Sequence, residues 1–236
     1  MKFFNLNSEF LLSITGVKDF QILGPENYNR WRDDSFFEIG KYVNGEILHF
    51  EAIAPEMEIK YKAKLLDLLS SVWLGNSFSG ITISKQLLEF IHNFALPANK
   101  TYPLKLFKIK KKQKEYIDKY VRFVLLETAY EYIDFSKSLF NFTEFNFNTS
   151  RYEVVETISF SSLEEFLDFQ LNKVPPPVKR FFNISHVVFN DNMSFDLFSL
   201  PRFNGYMVSE KLKNEMIKNG FTGVRFEEAP NITKIN

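Results

Sequence analysis

Apolar and polar positions recur with two different periods along this chain, and the changes of period mark its elements. The most organised run is GYMVSEKLKNEMIKNGFTGVRFEE, residues 205–228. Tyr206 to Val208 predict a strand, and Ser209 is placed to cap the first-turn amides of a following helix. Glu210 adds negative charge at the positive helix end, and Leu212, Met216 and Ile217 form the expected buried face. Gly220 supplies a left-handed stop, Phe221 is expected to fold back over the last turn, and Thr222-Gly223 turns into a strand at Val224-Arg225-Phe226.

A looser version, GITISKQLLEFIHNFALPANKTYPLKLF, begins at Gly80. Gly80 with Gly205, Ser84 with Ser209, Leu87 with Leu212 and Ile91 with Met216 all share one offset. Ile81 and Ile83 predict a short strand, and Ser84 a cap. Leu87, Leu88, Ile91 and Phe94 mark a helical face ended by Pro97, and 101–109 reads as one further strand. Upstream, LLDLLSS (65–71) and SFDLFSL (194–200) also resemble each other, at different distances from their glycines.

The rest of the chain carries weaker signals. Asn44-Gly45, between Tyr42-Val43 and Ile47-Leu48, predicts a β-hairpin over 38–53. Leu65, Leu68, Leu69 and Val72 recur at helical spacing and predict a helix over 60–75. Residues 108–120 read as a lysine-rich hairpin tip or loop, and 120–145 as one or two core strands. A strand over 151–160 leads to a helix over 161–173, where Ser162 and Glu165 form a capping box and Leu163, Phe166 and Leu167 a buried stripe. Three prolines at 175–177 stop that helix. A strand over 180–190 follows, then two short strands within 196–209. The pattern predicts an α+β body of mixed or antiparallel sheets with a few helices packed on them. No linker divides the chain, so it is read as one domain, 1–236, with two related lobes at 1–145 and 146–236.

Composition narrows the function classes. Of the aromatic residues, 28 are phenylalanine, which favours packing over polar recognition. Positive and negative charges balance at 29 each, so the whole-chain field predicts neither a nucleic-acid nor a membrane partner. With no cysteine, disulfides, thiolate catalysis and cysteine-bound metal are excluded. The N-terminal MKFFNLNSEFLLSITG lacks a continuous apolar core and a cleavage site, and no apolar run is long enough to span a bilayer; the expectation is a soluble, cytoplasmic protein.

Candidate chemistry is sparse. Ser84 and Ser209 sit at strand-to-helix turns but lack the glycines of a nucleophile elbow, so both read as caps. His49, His92 and His186 are scattered without a metal-ligand spacing, and neither a phosphate loop nor a dinucleotide fingerprint occurs; no cofactor is expected. Asp33-Asp34 and Glu164-Glu165 read as solvated faces. Trp31, between Arg30 and Arg32, reads either as a partner-contact patch or as a half-buried packing residue.

Several motifs together resemble a group of bacterial immunity proteins from polymorphic-toxin systems. The residues concerned are Asp196-Leu197-Phe198, Gly205, Val208-Ser209-Glu210-Lys211-Leu212 and Thr222-Gly223-Val224-Arg225-Phe226. The mid-chain Asp134-Phe135-Ser136-Lys137-Ser138-Leu139-Phe140 is similar to a further element of that group. The resemblance covers about 67–140 and 196–226 and implies a cytoplasmic factor that binds a cognate toxin domain and occludes its active site without catalysis. Asp134, Ser138, Phe140, Asp196, Gly205, Ser209, Glu210, Leu212, Gly223 and Phe226 would then be structural. Trp31, Arg32, Glu164 and Glu165 are candidate partner contacts, and the acidic stretches 46–60 and 152–169 could meet a basic toxin. Two other readings stay open: a hydrolase or transferase with a dispersed site, and a nucleic-acid-binding module using 108–119.

Overall fold

The computed structural model describes residues 2–23, 56–70, 80–173, 180–200, 205–229 and 231–234. The hairpin expected over 38–53, Trp31, Arg32, Asp33-Asp34, His49 and the prolines at 175–177 lie outside those residues. The described strands form four sheets, and the fold is α+β.

The first sheet has the order β12 (Leu197–Leu200), β13 (Gly205–Ser209), β1 (Phe3–Ser8), β14 (Val224–Glu228), all antiparallel. A strand from the chain's start therefore lies between two strands from its end. Successive side chains point to opposite faces of a strand, and here both faces are covered. Phe3, Phe198 and Met207 join one core, while Phe4, Leu6, Leu197, Tyr206 and Val208 join another. That is why β12 is buried at every position rather than at every second one.

A second antiparallel sheet has the order β3 (Leu68–Leu69), β4 (Ile81–Ser84), β8 (Tyr120–Leu125), β5 (Asn99–Pro103). In the third, β10 (Arg151–Ile158), β9 (Leu139–Asn146), β11 (Arg180–Phe189) and β15 (Ile232–Lys234) lie side by side, the last pair parallel. The fourth holds β2 (Glu56–Glu58), β6 (Lys105–Lys110) and β7 (Gln113–Ile117), with β2 and β6 parallel. Among the described residues the helices are α1 (Leu12–Thr15), α2 (Lys85–Ile91), α3 (Leu163–Lys173) and α4 (Glu210–Lys218). Phe166 of α3 stands among Tyr130, Phe135, Phe140 and Phe160 at ring-centroid separations of 5.1–5.9 Å. The phenylalanine-rich composition is spent here on edge-on and tilted packing.

Several expectations are corrected. Residues 60–70 are not helical: a turn at 61–62 leads into β3, and Leu65 is exposed while Leu66 is buried. Tertiary partners take the backbone groups a helix would have used. Asp67 and Leu68 donate N–H to Thr222 O at 3.1 Å, and Tyr120 Oη donates to Leu66 O at 2.8 Å. The single strand expected over 101–109 is two, because β5 pairs in one sheet and β6 in another, with Leu104 at the corner. Between β8 and β9 the chain makes 3-10 turns at Ala129–Tyr132 and Phe135–Lys137. Ile217, at 56% exposure, and Leu167, at 42%, face solvent rather than the core.

Candidate functional site

Asp67 and Asp196 each precede the first strand of a hairpin, and each hairpin ends on a capping serine. Ser84 Oγ donates to Asp67 Oδ1 at 2.8 Å, and Ser209 Oγ donates to Asp196 Oδ1 at 2.6 Å. The serine backbones repeat the match: Ser84 N–H donates to Asp67 O and Ser209 N–H to Asp196 O, both at 2.8 Å. Each serine also accepts from the helix, Leu87 N–H and Leu212 N–H, both at 3.1 Å. The capping roles expected for Ser84 and Ser209 are therefore met, and each hydroxyl's donor is occupied by an aspartate.

The second carboxylate oxygen of each aspartate crosses to the other unit. Asp67 Oδ2 accepts from Thr222 N–H at 2.9 Å and from Thr222 Oγ1 at 2.8 Å, just past α4. Asp196 Oδ2 accepts from Ala95 N–H at 3.2 Å, just past α2, while Asp196 N–H donates to Ala95 O at 2.8 Å. The two units thus hold each other reciprocally. Between them, Leu87 and Ile91 of α2 face Leu212 and Met216 of α4 across a narrow apolar crevice. Phe90 packs on Phe221 at 4.7 Å, and Lys211 lies over the Phe94 ring at 5.3 Å.

Gly223 shows how tightly the units meet. Its φ is +77°, and a Cβ there would collide with the backbone oxygen of Leu68 and the side chain of Leu66. Phe226 is half-buried in the same core, and Glu210 is exposed beside Ser209. Gly205, also at positive φ, has open space around it.

The mid-chain motif forms a second knot. Asp134 N–H donates to Val188 O at 2.8 Å, and Val188 N–H donates back to Ser138 Oγ at 3.0 Å. Ser138 Oγ in turn donates to Asp134 O at 2.7 Å, and Phe140 is fully buried. The hydroxyl of Ser136 and the ammonium of Lys137 hold the Asp134 carboxyl below its ordinary pKa. These bonds pin the 3-10 turns onto β11.

Buried polarity concentrates at Arg122 of β8 and Tyr206 of β13, which are 6% and 3% exposed. Burial brings the Arg122 guanidinium down to about 10 and pushes the Tyr206 phenol up to about 12. Among the described residues no metal-sized group of His, Asp and Glu exists.

The outer surfaces are more varied. At the start of α3, Glu165 N–H donates to Ser162 Oγ at 3.2 Å, while the Glu165 carboxylate accepts from Ser161 N–H at 2.6 Å. The reciprocal cap expected from Ser162 and Glu165 is thus shared with Ser161, whose bonds lower the Glu165 pKa. Glu164 is exposed. The lysine-rich segment is the β6–β7 hairpin, turning at Lys111 and Lys112. Lys114 is committed to Glu56 at 2.8 Å and lies over the Phe107 ring, and Lys108 donates to Ala63 O at 2.5 Å. His92 caps α2, and His186 lies half-buried in β11.

Sequence patterns missed two features. Asp67 was hidden by the helical spacing of its leucines, although the likeness of LLDLLSS to SFDLFSL pointed at it. The exposed apolar side chains of the β9–β10 hairpin, Phe147, Tyr152, Val154 and Val155, were hidden because alternation there reads as a half-buried strand. No protein-family model matches the chain, and no curated protein matches it. No helix of the described residues is long and apolar enough to cross a membrane.

Proposed function

We propose that this chain is an immunity-type binding protein that neutralises a cognate bacterial toxin by docking on it and covering its active site. The motifs Asp196, Ser209, Leu212 and Gly223 serve the reciprocal clasp, as scaffold residues of such a protein would. The observation that carries the binding reading is the β9–β10 hairpin. It presents Phe147, Tyr152, Val154 and Val155 at 50–63% exposure beside Glu153 and Glu156. Exposed aromatic and aliphatic side chains rimmed by charge suit a protein interface, where a few apolar anchors supply affinity and charge speeds encounter.

The test is co-expression with the C-terminal toxin domain encoded beside this gene. Cells are expected to survive with the intact protein and die without it. Survival counts equal to an empty vector, or the absence of any such neighbouring toxin gene, would overturn the reading.

A further inference from the structure

From Ile109 to Tyr116 every residue is exposed, so this end of the β6–β7 ribbon stands clear on both of its faces. The strands pair from Leu106 with Ile117 to Lys110 with Gln113, which leaves Lys111 and Lys112 as a two-residue turn. Both have positive φ, +49° and +67°, as a type I′ turn requires. Asn-Gly or Asp-Gly is the usual pair there, because a side chain with a Cβ is disfavoured in that region. Elsewhere among the described residues the positive-φ positions hold five glycines and Ser150. Two adjacent lysines are thus kept at the tip against the backbone's preference. Strain of that kind points to work for the side chains.

Charge on the ribbon is balanced along its flanks and unbalanced at its tip. Lys110 pairs with Glu115 at 3.4 Å, Lys114 pairs with Glu56 at 2.8 Å, and Lys108 donates to Ala63 O. On the loop packed at the ribbon's base, Lys60 pairs with Asp19, Lys64 donates to Ser13 O, and Lys62 is exposed. Lys111 and Lys112 form no ion pair with any described residue.

That distribution selects the occupant. A nucleic-acid strand or an anionic bilayer spreads its charge over many groups and favours a run of free cations. Laid along this ribbon, it would meet a carboxylate on either face: Glu115 beside Lys108 and Lys110, and Glu56 against Lys114 and Tyr116. A narrow cleft lined by carboxylates takes the turn alone, where only ammonium groups are presented. Behind the tip, Ile109 at 40% and Tyr116 at 57% exposure share one face and offer apolar area to the rim of such a cleft.

We propose that the Lys111-Lys112 turn is an arm that enters a carboxylate-lined cleft of the toxin, where its two ammonium groups pair with those carboxylates. This rests on the reading of the chain as a toxin-binding protein. It names the part that covers the toxin's site and the chemistry of that site, which is of the kind that holds a metal ion or an acid/base pair.

The test uses the full chain, the toxin domain and two double variants. Lys111→Asn with Lys112→Gly gives the turn its preferred residues and removes both charges. It is expected to melt no lower than the unaltered protein, yet to bind the toxin about tenfold more weakly or worse. Lys111→Arg with Lys112→Arg keeps the charges and is expected to keep most of the affinity. A second probe is acetylated, amidated hexaglutamate, followed by amide shifts in NMR; shifts centred on 110–113 are expected, and the first double variant should lose them. Toxin binding that the first double variant retains in full overturns the arm and leaves the toxin reading standing. Hexaglutamate shifts centred on the tip without any toxin binding support the arm and overturn the toxin reading. Failure of both probes overturns both. Binding to a short DNA duplex or to phosphatidylserine vesicles at physiological salt, lost in the first double variant, would overturn the cleft and assign the tip to that polyanion.

Discussion

Asp67 holds Thr222 from far along the chain, accepting from its backbone N–H at 2.9 Å and its hydroxyl at 2.8 Å. Asp196 returns the arrangement at Ala95. The equivalence extends to register. Leu68 faces Ile83 as Leu197 faces Val208, and Ser84 faces Tyr120 as Ser209 faces Phe3. Even the residue after each serine repeats its bond, Lys85 N–H to Lys119 O and Glu210 N–H to Lys2 O. The two strand–helix–strand units differ in where their central strand comes from: β8 follows its unit in sequence, whereas β1 precedes its own.

Replacing Asp196 with Ala should destabilise the protein by about 2–3 kcal/mol, because the Ser209 hydroxyl and the Ala95 amide lose a charged acceptor in a buried setting. Asp67→Ala should cost less, about 1 kcal/mol, since Asp67 is half-exposed and water can replace it. Urea denaturation of both variants checks the order. Equal losses would mean that burial does not set the strength of the clasp.

Gly223→Ala should cost at least about 2 kcal/mol, combining a left-handed backbone with a collision against Leu68 O. Gly220→Ala, at similar φ but in open space, isolates the backbone part and should cost about 1 kcal/mol. Thermal melts of the pair measure the difference, which reports the closeness of the two units.

Phe166→Ala should cost about 3–5 kcal/mol, the range for emptying a large aromatic site in a core. Four rings surround Phe166, so its neighbours cannot close the void without losing their own contacts. Chemical denaturation checks the loss. A change below about 1 kcal/mol would show that the cluster collapses freely.

Tyr206 sets an alkaline limit. Its folded pKa is raised to about 12 from an ordinary value of 10.0, so its contribution is complete below pH 10 and is lost as pH climbs toward 12. Tyr206→Phe should therefore make the fall in melting temperature above pH 10 shallower than in the unaltered protein. A parallel slope in both would remove Tyr206 as the cause.

The chain's own pattern determined the second unit almost completely. The serine cap, helix and glycine stop within 205–228 are governed by bonds within a few residues, and such bonds form wherever the residues recur in that order, whereas the flanking strands β13 and β14 are completed by β1. The α+β class follows from the same local rules. Only the tertiary structure decided the fate of Asp67. Helical spacing predicted one outcome for 60–75, but the amides of Asp67 and Leu68 are taken by Thr222, and Ser84 and Thr222 hold the Asp67 carboxylate. Likewise Phe3 and Phe4 are adjacent and both buried because β1 lies between two cores, which no local period can encode. That β10 pairs with β9 alone among the described strands arises in the same way, since a strand's sequence specifies its faces while its neighbours along the hydrogen-bonding direction are set by the rest of the chain.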